Sequence, residues 1–129
     1  MLNNLTLHAP KALAVLRIVA ALLFIEHGTQ KLFGFPASGG EGGGGMGGLM
    51  LIAGVLEAFG GLLLLVGFLT RPVAFLLSGM MAVAYWMAHA PQNFYPVNNG
   101  GDAAILFCFV FLYLVFAGPG AWSVDGARR

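Results

Sequence analysis

The chain contains, at Val55–Gly67, the run VLEAFGGLLLLVG, which is as apolar as a lipid tail and yet carries one carboxylate, Glu57. A charge in the middle of a membrane helix costs at least ~2.5–3.5 kcal/mol on insertion scales, so it usually has a partner and a function. Gly54 and Gly61 flank Glu57 at i−3 and i+4, and small residues mark the packed side of a membrane helix. We therefore expect Glu57 to face the protein interior and to pair with a residue of another helix.

The composition extends this interpretation to the whole chain. Of the 129 residues, 59% are hydrophobic and only 9% are charged, whereas soluble domains carry about 25% charged residues. The sequence therefore predicts an integral membrane protein of one domain, residues 1–129, in contact with the lipid bilayer. The net charge of +1 and the lack of a basic patch give no reason to expect a nucleic-acid partner. The single cysteine, Cys108, excludes an internal disulfide and a CxxC redox pair.

Four apolar segments are separated by turn-forming residues. We predict helices at about 12–33, 48–69, 72–90 and 102–117, with a glycine-rich outer loop at 34–48 and a tight turn between the second and third helices. Arg17 lies inside the first segment and no A-x-A site follows it, so this segment is a helix rather than a signal peptide. Short connections between four spans predict an all-α, up-down-up-down bundle of four transmembrane helices.

The distribution of basic residues predicts the orientation. Lys11, Arg71, Arg128 and Arg129 fall on one side of the predicted bundle, and the other side has only Lys31, at a helix end. By the positive-inside rule, we expect a multi-pass protein of the inner cell membrane with both termini in the cytoplasm.

The ionisable residues gather at one depth. A rise of 1.5 Å per residue places most of them in the outer half of the membrane: Glu26, His27, Lys31, Glu57, His89 and Asp102. Arg17 is the exception, in the cytoplasmic third. Intramembrane ionisable groups mark proton, ion or redox pathways by default. His27 and Lys31 share one helix face, and either is a simple partner for Glu57.

Each of these residues also has a purely structural interpretation. A Glu57 ion pair can serve only to fix helix register, and Asp102 can be the N-cap of the fourth helix. His89 can touch water at the interface, and Arg17 can snorkel to cytoplasmic headgroups. Glu26 lies about 180° from Arg17 around the first helix, so it edges a different groove or faces a second subunit.

Several segments in order resemble the DoxX family of small four-helix membrane proteins of bacteria and archaea. They are LRIVAALLFIEHGTQKLFGF at Leu16–Phe35, LEAFGGLLLLVGFLTRP at Leu56–Pro72, NGGDAAILF at Asn99–Phe107 and GPGAWSVD at Gly118–Asp125. The resemblance covers nearly the whole chain. The residues that match the family pattern are Arg17, His27, Lys31, Glu57 and Arg71. Asp102 stands where many members have Glu, and the glycine-saturated loop departs from the usual composition.

The resemblance implies a redox-linked role. Members of the family are similar to a subunit named with thiosulfate:quinone oxidoreductase or with a terminal quinol oxidase complex. Others are linked to thiol and superoxide stress or to quinone and catechol resistance. A quinone-linked oxidoreductase subunit of this type would take its electrons from a partner redox protein, such as one that oxidises thiols or sulfur compounds. We expect no covalently bound cofactor and no metal, and quinone as the bound molecule.

On this hypothesis, the quinone headgroup lies in an outer-half pocket. His27 or His89 exchanges protons with it, and Lys31 stabilises negative charge on a reduced oxygen of the quinone. Glu57 orients these groups or relays a proton. We expect further contacts to the bound molecule from four residues, namely Tyr85, Trp86, Asp102 and Arg17.

Two other functions use the same residues. A carrier for a small solute or a proton would use the buried charges as its path, and such a narrow bundle would need a homo-oligomer. A structural assembly subunit without activity would use them only for packing. A b-type haem between His27 and His89 would need two histidines on different helices, which is a necessary condition and not a sufficient one.

Overall fold

A computed structural model describes residues 2–36 and 48–127. All regular structure in these two ranges is helical, as the sequence predicts, and most of it lies in four helices. We name them α1 (Ala9–Phe33), α2 (Gly48–Val66), α3 (Thr70–Ala84) and α4 (Asp102–Ala117). Residues 37–47, most of the predicted glycine-rich loop, lie outside the described residues, as do Arg128 and Arg129.

Three helical segments are long and apolar enough to cross a membrane, namely Asn4–Phe33, Gly48–Val66 and Thr70–Gln92. The helix at Asp102–Ala117 is apolar but shorter. Its 16 residues rise about 24 Å, against a hydrocarbon core of about 30 Å. A membrane protein with several spanning helices follows from these lengths. The four-pass bundle and the single domain over residues 1–129 stay predictions.

The first two helices differ from their predicted bounds at one end each. α1 begins at Ala9, because Pro10 fits the first helical turn, where its missing N–H costs nothing. A 3₁₀ segment, Leu2–His8, precedes it. α2 ends at Val66, since Gly67 and Leu69 both adopt left-handed backbone angles, with φ of 71° and 52°. Leu69 is strained there, since left-handed conformations disfavour residues with a Cβ.

α3 also departs from the prediction of one regular helix over residues 72–90. It begins at Thr70, because a proline at its third position removes no helical hydrogen bond. After Ala84 the helix widens into a π-helical turn, Tyr85–His89, and then tightens into a 3₁₀ turn, Ala90–Gln92. π-turns of this kind occur frequently at functional sites.

The described residues form two compact units, of which the first comprises Met1–Leu69 and Pro119–Arg129. In it α1 packs on α2 in an antiparallel register, with glycines at the closest approach. A Cβ added to Gly28 would lie 2.6 Å from the Ala58 backbone nitrogen, and one added to Gly61 would lie 2.5 Å from Ile25 Cγ1. The register therefore sets Gly28 against Ala58 and Ile25 against Gly61.

The segment after α4 returns to one end of this first unit. The Ala121 N–H donates to the Pro10 carbonyl at 3.0 Å, and the Asp125 N–H donates to the Gly67 carbonyl at 2.8 Å. The Asp125 carboxylate accepts from the Leu69 N–H at 2.9 Å. The segment is thus tied both to the start of α1 and to the turn that follows α2.

The second unit comprises Thr70–Gly118, in which α3 packs on α4. Buried Ser78 joins the two helices, donating its hydroxyl to the Cys108 carbonyl at 2.8 Å. Arg71 donates from Nη1 to the Val115 and Phe116 carbonyls at 3.1 and 2.9 Å. A cation is favourable there, because the C-terminal end of a helix carries partial negative charge.

Candidate functional site

Glu57 pairs with Lys31, one of the two partners that the sequence predicts. Lys31 Nζ lies 2.7 and 2.8 Å from the two carboxylate oxygens of Glu57. The Glu57 side chain is 4% exposed and that of Lys31 is 22% exposed. Glu57 is the tenth of the 19 residues of α2, so the carboxylate belongs to the middle of a membrane-length helix. The pair links α1 to α2 at that depth.

His27 lies one helical turn before Lys31 on α1. Its Nδ1 is 2.8 Å from the carbonyl oxygen of Leu23. A carbonyl only accepts hydrogen bonds, so Nδ1 carries the proton and Nε2 is the basic nitrogen of the neutral ring. The ring is half-buried.

Arg17 is fully buried and binds the backbone of the returning segment. Its Nη1 donates to the Pro119 carbonyl and to the Ala121 carbonyl at 3.1 Å, and its Nη2 donates to the Trp122 carbonyl at 2.9 Å. A longer contact of 3.5 Å reaches the Leu65 carbonyl in the last turn of α2, where helix carbonyls lack helical partners. The snorkelling interpretation is therefore wrong, because the two terminal nitrogens of this guanidinium donate to protein carbonyls rather than to lipid headgroups.

A second polar cluster lies in the second unit, around the π-helical turn. Asn99 is its centre, with 4% exposure. Its side-chain amide donates to the Tyr85 hydroxyl at 3.2 Å and to the Asn93 carbonyl at 3.0 Å, and its side-chain oxygen accepts from the Gly101 N–H at 2.8 Å. His89 Nδ1 lies 3.0 Å from the Asn99 backbone carbonyl oxygen. Asn99 therefore holds both the tyrosine and the histidine.

These bonds fix the roles that Tyr85 and His89 can take. The Tyr85 oxygen accepts from Asn99, so its own O–H remains able to donate. His89 must donate from Nδ1 to a carbonyl, so the Nε2 of its neutral ring remains able to accept. The two rings meet edge to face with centroids 6.3 Å apart. The cluster thus offers one donor, the Tyr85 O–H, and one acceptor, His89 Nε2.

Trp86 and Asp102 lie at the outside of this cluster. The Trp86 ring is 73% exposed and its centroid lies 5.5 Å from that of Tyr85. Asp102 is exposed and is the first residue of α4. The interpretation of Asp102 as the N-cap is wrong, since Gly101 holds that position and no side chain caps it.

The predicted site residues fall into two groups, one in each unit. Within the first unit the structure joins Lys31 to Glu57, with His27 one turn away and Arg17 near the other end of α1. Within the second unit it brings together Tyr85 and His89, with Trp86 beside them. Asn99 is not among the residues predicted from the sequence, because its only signal there is the turn-forming run NNGG. Among the described residues, no group of three or more His, Cys, Asp or Glu side chains is arranged to hold a metal ion.

Comparison with known proteins decides the family, because the DoxX family profile matches residues 12–90. The chain belongs to the DoxX family. This DoxX protein is 46% identical over 128 residues to a Haemophilus influenzae protein described as uncharacterized, covering 96% of each chain. It is 33% identical over 121 residues to the inner membrane protein YqjF of Escherichia coli, covering 86% of this chain and 87% of YqjF. No solved structure matches the chain.

The family resemblance stated from the sequence is thus confirmed. Family membership, the inner-membrane relative and the apolar helices together support the prediction of a multi-pass inner-membrane protein.

Proposed function

We propose that this DoxX protein is a redox-associated membrane subunit that binds a quinone at Tyr85, Trp86 and His89. The observation that carries the proposal is the orientation that Asn99 imposes, which leaves the Tyr85 O–H as a donor and His89 Nε2 as an acceptor. A quinone carbonyl accepts hydrogen bonds and a quinol hydroxyl donates them, so the cluster suits both forms of the same ring. The exposed Trp86 ring, tilted 60° to that of Tyr85, adds an aromatic surface for the quinone headgroup.

The proposed reaction places the electron source in a partner. A partner redox protein oxidises a thiol or sulfur compound and passes two electrons to the quinone, which takes up two protons to become quinol. Water protonates the neutral His89 ring at Nε2, and His89 then gives this proton to a quinone oxygen and returns to the neutral ring. The second proton also comes from water. The half-buried Lys31 and the buried Glu57 are charges of the first unit that the proposed step does not require.

Quinone quenching of tryptophan fluorescence tests the binding step. The chain has two tryptophans, so a Trp122→Phe variant in lipid nanodiscs leaves Trp86 as the single reporter. Titration with a short-chain ubiquinone analogue, and separately with a menaquinone analogue, is expected to give saturable quenching. His89→Ala in the same background should weaken the apparent affinity about tenfold, the effect of losing a hydrogen bond of ~1.4 kcal/mol.

The matched control is His8→Ala, which removes an exposed histidine outside both clusters and should leave the titration unchanged. Quenching that rises linearly without saturation, and equally in the His89→Ala variant, would mean that the quinone only dissolves in the lipid. That result would refute the proposed site.

A second candidate, an assembly subunit without chemistry of its own, is supported by a different observation. The Lys31–Glu57 pair satisfies both carboxylate oxygens internally, and Arg17 is committed to backbone carbonyls. Charged side chains whose partners all lie within the protein can hold the helices together without taking part in a reaction. Absence of saturable quinone binding, together with strong destabilisation on breaking the pair, would favour this candidate. Solute- or proton-dependent flux in vesicles would instead favour a carrier.

We also propose that the chain crosses the membrane four times with both termini in the cytoplasm. The support comes from the returning segment, which ties the chain after α4 to Pro10 and to the turn after α2. Lys11 lies next to Pro10 and Arg71 two residues after Leu69, so basic residues collect at this end, as the positive-inside rule requires of the cytoplasmic side.

A further inference from the structure

Glu26 lies on the side of α1 that faces away from α2. Gly28 marks the side that contacts α2, and two residues correspond to about 200° around a helix. Glu26 is exposed. Its backbone carbonyl accepts a hydrogen bond from the Thr29 hydroxyl at 3.2 Å, but no ion pair or hydrogen bond to its carboxylate is present among residues 2–36 and 48–127. This carboxylate therefore differs from Glu57, which is buried and paired.

The register of α1 against α2 gives the depth of Glu26. Ile25 lies against Gly61 and Gly28 against Ala58, so Glu26 is level with about residue 60 of α2. That is about 5 Å along the axis from Glu57, the midpoint of α2. The 19 residues of α2 span about 28 Å, close to the whole hydrocarbon core. Glu26 thus belongs to the membrane interior, where an ionised carboxylate facing lipid is strongly unfavourable.

The surroundings of Glu26 have the spacing of a helix-packing seam. Residues at intervals of three and four before Glu26 are exposed and apolar, namely Leu16, Val19 and Leu23, and Phe33 is exposed one heptad after it. Gln30, the position between Glu26 and Phe33, donates its side-chain amide to the Pro36 carbonyl at 2.9 Å. This spacing is the 3–4 repeat by which two helices interlock, and a polar residue within such a seam selects the partner and the register.

We propose that this face of α1 binds a transmembrane helix of another membrane protein, which carries a lysine or arginine level with Glu26. Charge complementarity identifies the partner, because a cation at that depth compensates the charge of the ionised carboxylate. Among residues 2–36 and 48–127, a second copy of this chain does not supply one. A parallel copy brings Glu26 against Glu26, and Lys31 is committed to Glu57. Arg17 and Arg71 are bound to backbone carbonyls, and Lys11 lies 15 residues away, about 22 Å along α1. This interface does not depend on quinone binding.

Designed helices in lipid vesicles test the proposal. One peptide is a 20-residue Leu/Ala helix with a single central lysine, and its control has leucine at that position. Energy transfer is measured from the labelled peptide to a label at Ala127→Cys in a Cys108→Ser background. The lysine peptide is expected to bind at least tenfold more tightly than the leucine peptide, and Glu26→Gln should remove this preference.

Exchanging the two charges distinguishes loss of the interface from loss of folding, because an unfolded variant would bind no peptide selectively. Glu26→Lys should no longer prefer the lysine peptide to the leucine peptide. It should instead bind a matching peptide with a central glutamate at least tenfold more tightly than the leucine peptide. Equal binding of all peptides by the wild type and both variants would overturn the proposal. So would concentration-dependent energy transfer between copies of the chain that Glu26→Gln abolishes, since the occupant would then be a second copy.

Discussion

At the scale of single residues, the most consequential interaction is the Lys31–Glu57 pair, because each charge is stable in the membrane only while the other is present. Glu57→Gln leaves the Lys31 ammonium without its counter-ion, and Lys31→Met leaves the more deeply buried carboxylate alone. Breaking a buried pair costs about 3–5 kcal/mol. We expect both variants to unfold more readily in mixed detergent micelles, with Lys31→Met the more destabilised.

The control for this prediction is the double variant Lys31→Met/Glu57→Met, which removes both charges together. It should recover most of the lost stability, since apolar replacements of buried ion pairs are often neutral. Wild-type stability in Glu57→Gln would show that the pair contributes nothing to the fold.

Residue spacing predicts part of this site and not the rest. The i,i+4 relation of His27 and Lys31 limits the partner of Glu57 to two candidates, and the structure pairs it with Lys31. Arg17 could not be interpreted in this way, because three of its acceptors are backbone carbonyls more than 100 residues further along the chain. Asn99 looks like an ordinary turn residue until the fold places Tyr85 and His89 around it.

At the scale of helices, the close approach of α1 and α2 depends on glycine. A Cβ at Gly28 would meet backbone atoms, Ala58 N at 2.6 Å and Gly54 O at 2.9 Å, which cannot move without separating the helices. We expect Gly28→Ala to destabilise the protein by about 1–3 kcal/mol, the usual cost of overpacking. The matched control is Gly79→Ala on α3, where nothing lies within 4 Å of the added Cβ and stability should stay the same or rise.

Detergent unfolding of the two glycine variants side by side measures this difference. Equal stability would mean that α1 and α2 do not pack through Gly28 in the membrane.

Helix ends are predictable only where local sequence decides them. The start of α1 follows from Pro10, a residue suited to a first helical turn. The end of α2 is different, because the apolar run continues to Leu69 while the helix stops at Val66. There the returning segment packs Ser123 against Gly67 and binds the Leu69 N–H through Asp125. Hydrophobic periodicity carries no information about such a distant contact, nor about the π-helical turn at Tyr85–His89.

At the scale of the whole molecule, hydrogen bonds of the first unit limit the number of membrane crossings. The chain leaves this unit at Leu69 and re-enters it at Pro119, and both points lie at the end where Asp125 binds Leu69 and Ala121 binds Pro10. We therefore predict that the intervening residues cross an even number of times. Since Thr70–Gln92 is long enough to cross once, we expect the short helix α4 to bring the chain back.

Cysteine labelling in intact cells tests this prediction. In a Cys108→Ser background, a membrane-impermeant maleimide should label Asn98→Cys, in the loop between α3 and α4, from outside the inner membrane. Ala127→Cys and Lys11→Cys should react only after the membrane is opened, because the proposed topology places the tail and the start of α1 on the cytoplasmic side. Labelling of Ala127→Cys and Asn98→Cys from the same side would mean that α4 does not cross the membrane. The residues between Leu69 and Pro119 would then cross an odd number of times, and the hydrogen bonds from Ala121 to Pro10 and from Leu69 to Asp125 could not form in the membrane.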